Sequence, residues 1–226
     1  MLTLYITRHG ETEWNIQKRM QGHKDSPLTE KGRKQAQALG NYLKNIPFEK
    51  VFVSDSNRAY ETACTIMEER DVPIIKEVRL REMNIGIWEG STFEEVERLD
   101  PIESYHFWHE PHLYKPQGGE SFFNTRDRAY SFIQELIEQH QEGNILLVTH
   151  TITLKHIMSL WDEREVAELW NEPFVSQTSL SIVELEEGRG TIKAYAETPH
   201  LCFVQSKGQK EFKRLFDQVQ QRVYSL

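Results

Sequence analysis

The chain has 226 residues, a formal charge of −8, 38% hydrophobic residues and two cysteines. That length suits one sizeable α/β domain. The acidic balance excludes a non-specific nucleic-acid binder, which needs a basic stripe, and no run approaches the roughly 20 apolar residues of a membrane span.

The two thiols, Cys64 and Cys202, lie far apart and read as reduced cysteines. The first residues lead straight into an apolar run, without a basic n-region or a cleavage site, so no secretory leader and a cytoplasmic location are expected.

Leu2 to Thr7 is a short β-prone run that stops at Arg8-His9-Gly10. It reads as a buried strand. In open α/β sheets ligands bind outside the carboxyl ends of strands, which would place Arg8 and His9 at the mouth of a site. A polar segment, Glu11 to Asp25, follows as a short helix or turn and then a loop. Thr29 is the expected N-cap of a helix with Ala36, Leu39 and Leu43 at helical spacing, ending near Asn45.

Lys50 to Ser54 is the second predicted strand. Asp55-Ser56-Asn57-Arg58 lies at its end, before a helix over Ala59 to Arg70. Val72 to Ile75 is a short strand placed at an edge by Pro73. Leu80 to Trp88 is irregular and supplies Glu82. A helix is expected from Ser91 or Thr92 through Leu99. Beyond it Tyr105, Phe107, Trp108, Leu113 and Tyr114 are too aromatic for a linker and read as an insertion folding over something.

Ser121 to Gln141 is a long amphipathic helix, stopped by Gly143. Asn144 to Thr149 is uninterrupted and apolar, as a strand buried on both faces should be. His150 ends it, and Thr151 to Leu160 is helical. Ser179 to Leu185 and Thr191 to Ala196 read as a hairpin around Glu186 to Gly190. The tail, Glu211 to Val223, has helical spacing.

Three strand-to-helix junctions thus end in Arg8-His9, Arg58 and His150. Strand–helix alternation implies a mostly parallel sheet that brings these ends together. Two arginines and two histidines make a site for a phosphate dianion: arginine forks match its oxygens, and the following helix N-termini add N–H groups. One histidine can be the nucleophile, kept neutral by the arginines, with its other ring nitrogen fixed by a backbone carbonyl. Glu82 is the best candidate to protonate the leaving alkoxide and then to activate water, since a carboxyl beside a phosphate dianion is favoured in its protonated form.

Two patterns point elsewhere. Cys64 to Arg70 has the Cys-x5-Arg spacing of cysteine-dependent phosphatases, but the residues between are mid-helix and include two glutamates. His106, His109 and His112 have a spacing open to metal, but Pro111 breaks any helix that would align them.

The motif Arg8-His9-Gly10-Glu11-Thr12 with Trp14-Asn15 resembles the signature of the histidine phosphatase superfamily, the phosphoglycerate mutase-like fold. The resemblance continues through Asp25 to Gly32, Ser54-Asp55, Arg58-Ala59, Glu61-Thr62-Ala63, Arg81-Glu82, Trp88-Glu89-Gly90, Gly118 to Ser121 and Val148-Thr149-His150. It implies an α/β three-layer sandwich, with helices on both faces of a mostly parallel sheet. That makes one domain over 1–226, with an aromatic-rich helical lid insertion at about 91–119.

By the same resemblance His9 is the phosphoacceptor and Glu82 the proton donor and acceptor. Arg8, Arg58 and His150 form the rest of the phosphate pocket, and Asn15, Gln21 and Gly22 contact substrate. No metal and no cofactor are implied. Within the family the chain is most similar to the small broad-specificity phosphatases known from bacilli. Cofactor-dependent mutases carry an arginine-rich segment where this chain reads His106-Phe107-Trp108-His109-Glu110-Pro111. They usually have Ala-His-Gly where it reads Thr149-His150-Thr151.

The expected activity is metal-independent hydrolysis of small-molecule phosphate monoesters through a phosphohistidine on His9, by a monomer or small homo-oligomer with no nucleic-acid or membrane partner. The alternatives are a cofactor-dependent phosphoglycerate mutase and a non-catalytic module that binds phosphorylated proteins.

Overall fold

A computed structural model describes residues 1–186 and 188–201. Cys202 and the tail helix expected over Glu211 to Val223 lie outside them.

Six strands form one sheet: β1 (Leu2–Arg8), β2 (Phe48–Val53), β3 (Ile74–Lys76), β4 (Gly143–Thr149), β5 (Leu180–Glu186) and β6 (Arg189–Glu197), in the order β3-β2-β4-β1-β5-β6. Pairings β3-β2, β2-β4 and β4-β1 are parallel. The β5-β6 hairpin adds antiparallel to β1. The parallel part leaves β1, β2 and β4 ending on the same side, as strands joined through crossover helices must. β3 lies at the edge, where Pro73 just before it can do without a ladder donor.

The helices are α1 (Glu13–Ile16), α2 (Glu30–Tyr42), α3 (Asn57–Met67), α4 (Phe93–Leu99), α5 (Pro101–His109), α6 (Phe122–Gln139) and α7 (Thr151–Asp162). The central strand divides its side chains between two cores. Ile145 and Leu147 join Leu4, Ile6 and the inner faces of α6 and α7, including Phe132, Ile133, Leu154 and Ile157. Leu146 and Val148 join Val51, Val53 and the inner faces of α2 and α3, including Leu39, Ala63 and Ile66. Alternation with both faces apolar is what a strand between two helical layers requires.

A third core sits beyond the strand ends. Met83, Ile85, Trp88, Val96, Phe107, Tyr114 and Phe122 form it, with Phe93, Trp108 and Trp170 packed on its margin. The aromatic run contains a second helix, α5, within the insertion expected to be helical at about 91–119. Asp100 caps α5 by accepting from Glu103 N, and Pro101 opens it. Proline at the first helical position loses no hydrogen bond. α5 ends at His109, before Pro111.

Candidate active site

β1 runs out at Arg8, and His9 N still continues the ladder to the Thr149 carbonyl at 3.0 Å. Gly10 then turns the chain against the start of α2. A Cβ there would come within 2.6 Å of the Gly32 carbonyl oxygen, so the close approach needs glycine. Gly10 N donates to Thr62 Oγ1 (3.0 Å), whose hydroxyl in turn donates to the Arg58 carbonyl (2.7 Å). The loop after β1 is thereby tied to the first turn of α3, which carries Arg58.

His9 is buried and its Nδ1 lies 2.7 Å from its neighbour Gly10's carbonyl. A carbonyl has no hydrogen to give, so Nδ1 donates, and in the neutral ring the lone pair is on Nε2. Burial pushes the His9 imidazole well below its ordinary pKa, and the positive charges of Arg58 and Arg8 push the same way. The ring is therefore neutral at physiological pH.

His150 stands edge-on to it, with ring centroids 5.1 Å apart. It too is held well below its ordinary pKa by burial first and Arg58 second. Arg58 Nη2 donates to His150 Nδ1 (3.1 Å), so the hydrogen is on Nε2 and is donated to Ser54 Oγ (2.8 Å).

The Arg58 fork lines the cavity and is also engaged by the protein. Nη1 donates to the Lys24 carbonyl and to Asp25 Oδ1 (3.0 Å), and Nη2 also to the Gly22 carbonyl (2.8 Å). A guanidinium 1% exposed needs acceptors for its donors, and these carbonyls supply them. Gly22, at φ +57, has the left-handed backbone that brings its carbonyl to this position. Arg8 has one Nη on the Val175 carbonyl at 2.9 Å. Burial lowers its pKa to about 10, which leaves it cationic. The Nε atoms of both arginines are buried without a hydrogen-bond partner among the described residues. Two buried guanidinium groups lining one cavity suit an anion.

Glu82 is placed by three elements. Thr149 Oγ1 donates to the Leu80 carbonyl and Thr153 Oγ1 to that of Arg81. Arg128, held by Glu120, donates to the carbonyls of Arg79, Arg81 and Glu82. The Glu82 carboxylate accepts from Met83 N (2.9 Å), Ile152 N (3.2 Å) and Thr153 N (3.4 Å). Part of the first turn of α7 is thus capped by Glu82. Likewise Asn57 N, at the start of α3, donates to Asp25. Of the helix N–H groups expected to add to the anion site, those of Asn57, Ile152 and Thr153 are already taken by acids of the protein.

The cavity is lined by Arg8, His9, Arg58, Glu82 and His150, with Asn15, Gln21 and Gly22 beside them. It holds about 760 Å³ of empty space, its open mouth included. Asn15 Oδ1 caps α1 by accepting from Thr12 N. Gln21 Nε2 donates to Thr12 Oγ1 (2.7 Å), while Gln21 Oε1 is buried without a partner among the described residues.

The superfamily model for the histidine phosphatases (branch 1) matches residues 4–198. The chain belongs to the histidine phosphatase superfamily. It is 32% identical over 201 residues to phosphoserine phosphatase 1 of Hydrogenobacter thermophilus, covering 89% of this chain and 95% of that one. It is 32% identical over 177 residues to the probable phosphoglycerate mutase GpmB of Salmonella choleraesuis, covering 74% and 80%. The solved structure of Bacillus stearothermophilus YhfR superposes with a TM-score of 0.86 at 42% identity, covering 89% of this chain and all of that one. In coarse terms the chain is a phosphatase-type enzyme of this superfamily.

The residues that hold this histidine phosphatase site together were less visible in sequence. Ser54, Asp25, Thr62 and Glu120 lie within the matched motifs without a role assigned there, and Arg128 lies outside them. The outer wall is aromatic. Phe93, Phe107, Trp108, Trp170 and Phe174 line the cavity, Phe107 from within the third core; Tyr114 is core, and Tyr105 and Leu113 are exposed. The segment carrying Trp170 and Phe174 is pinned from within: Lys155 Nζ donates to the carbonyls of Asn171 (2.7 Å) and Pro173 (3.0 Å), and Arg164 to those of Asn171 and Glu172. An aromatic on each side of Asn171-Glu172-Pro173 was the signal available. His106 is engaged by Glu103 and Glu110, and among the described residues no His/Cys/Asp/Glu group is arranged to hold a metal. Cys64 lies within α3, not in a phosphate loop.

Proposed function

We propose that this chain hydrolyses small-molecule phosphate monoesters, over a broad range of leaving groups, through a phosphohistidine on His9. The observation that carries the reading is the Nδ1–H bond from His9 to the Gly10 carbonyl, which puts the lone pair of a neutral ring on Nε2. Nε2 attacks phosphorus as the ester P–O bond breaks, and Glu82 gives its proton to the departing alkoxide. Water then attacks the phosphohistidine and gives a proton to Glu82. The N–P bond breaks, inorganic phosphate leaves, and the starting state is restored. Arg8 and Arg58, both lining the cavity, stabilise the transferring group with charges already in place. Asn15, Gln21 and Gly22 contribute the substrate side of the pocket.

The test is a panel of aryl, sugar, nucleotide and glycolytic phosphates, run with and without EDTA, scoring phosphate release and phosphoglycerate interconversion. Release of phosphate that is indifferent to EDTA and unaccompanied by isomerisation is expected. His9→Ala should lower turnover by at least about a thousandfold and abolish acid-labile phosphate labelling. Isomerisation without net release would replace this reading by the mutase. Phosphate binding without turnover would replace it by a recognition module, and full activity in His9→Ala would refute the mechanism.

A further inference from the structure

The mouth of the cavity bears on which leaving groups the proposed phosphatase takes, an inference that rests on that reading. Four cations line the cavity, Arg8, Lys18, Arg19 and Arg58, against one carboxylate, Glu82. Three of them are engaged. Arg8 and Arg58 are held as described above. Arg19 donates to the Gly90 carbonyl (2.6 Å) and the Gln17 side chain (3.0 Å), and lies 3.9 Å from Glu95. Lys18 is different: among the described residues no acceptor takes its ammonium.

It is exposed at the mouth of the cavity, which aromatic residues also line. The Lys18 carbonyl accepts from Phe93 N at 3.3 Å. Phe93 packs edge-on against Trp108 (5.4 Å), which in turn packs on Trp170 (5.0 Å). An uncompensated cation beside an aromatic wall suits a ligand with a flat apolar body and an anionic substituent.

The backbone supplies the second observation. Lys18 has φ +56 and follows Gln17, the C-cap of α1. That left-handed position ordinarily takes glycine, because a Cβ is disfavoured there. Here a long cationic side chain occupies it instead, at the rim of a binding cavity.

We propose that Lys18 is a specificity-determining residue that pairs with a carboxylate on the leaving group while the ester phosphate sits at His9. The favoured substrates are then phosphate monoesters of hydroxy acids with an aromatic or similarly apolar face.

The probes are 4-carboxyphenyl phosphate and phenyl phosphate, compared as the ratio of their kcat/KM values. Dividing the wild-type ratio by that of Lys18→Gly cancels the intrinsic difference between the two phenols. The wild-type ratio should exceed that of Lys18→Gly by about threefold to tenfold at low salt, shrink as ionic strength rises, and persist in Lys18→Arg. Lys18→Gly should keep its Tm, because glycine is at ease at this φ, which separates lost recognition from lost folding. A ratio unchanged in Lys18→Gly, or one indifferent to salt, overturns the role of Lys18 and leaves the phosphatase reading standing. Failure of the wild type to release phosphate from either ester overturns both.

Discussion

Residues whose chemistry is announced by position were readable in advance. Arg8, His9, Arg58 and His150 each stand where a strand gives way to a helix, so topology alone converges them. Ser54, Asp25 and Thr62 stand in the same turns, but short polar residues there are indistinguishable from solvated turn formers until their partners are known. Asp25 shows what is lost thereby. It is the carboxylate partner of a buried arginine and also accepts from Asn57 N. Asp25→Asn removes the charge and keeps the shape. We expect kcat/KM to fall about tenfold or more through misplacement of Arg58, with circular dichroism unchanged. Undiminished kcat/KM would show that the carbonyls of Gly22 and Lys24 suffice to hold the guanidinium.

Among the elements, α5 was the hardest to foresee. Its N-terminal signal, Asp100-Pro101, is plain in hindsight, but its aromatic residues do not share one face. Phe107 is buried in the core and reaches the cavity, Trp108 is partly buried and lines the cavity, and Tyr105 is exposed. A helix lying between a core and a binding site has no single apolar stripe, so periodicity fails there. The two neighbours should therefore answer mutation differently. Phe107→Ala, 2% exposed within the third core, should cost about 3–5 kcal/mol, read as a lowered denaturation midpoint. Trp108→Ala should cost less and instead shift the preference between aryl and sugar phosphates. An unchanged substrate profile in a folded Trp108→Ala would remove this helix from specificity. Trp170 and Phe174 escaped the sequence reading for a related reason. Trp170 meets α5 only across a long stretch of chain, and no local pattern encodes that meeting.

At the scale of the molecule, the parallel part of the sheet was legible because β4 is apolar on both faces and the turn signals bracket each strand. The antiparallel placement of the β5-β6 hairpin beside β1 depends on an edge choice that strand propensity does not specify. The fold also buries histidines as neutral rings, His9 and His150 at the site and His156 in α7, the last with its pKa lowered to about 3 by burial first. The unfolded chain takes up protons near the ordinary value of 6.5 while the native state refuses them, so stability rises with pH and is lost as pH falls below that value. Each ring contributes up to about 1.4 kcal/mol per pH unit across the window between its unfolded and folded values. A falling Tm between pH 7 and pH 5 is expected, shallower in His156→Leu. This window lies above that of the depressed carboxyls of Asp55, Glu77 and Glu120, whose contribution is lost only at lower pH. A Tm flat from pH 7 to pH 5 would mean that the rings accept protons without unfolding.

Under the proposed phosphohistidine mechanism, the short bond from His9 to the carbonyl of Gly10 would also govern the lifetime of the intermediate on the ring. Once phosphorus is on Nε2, the hydrogen on Nδ1 is still held by that carbonyl, so the phosphorylated ring is cationic and departs as a neutral imidazole. The native chain thus weakens the N–P bond it has just made. Unfolding in alkali releases the Nδ1 hydrogen and with it the ring's ability to leave. A covalent intermediate that is fleeting in the folded enzyme becomes durable in the denatured chain, so alkaline denaturation, and not acid quenching, is the way to catch it.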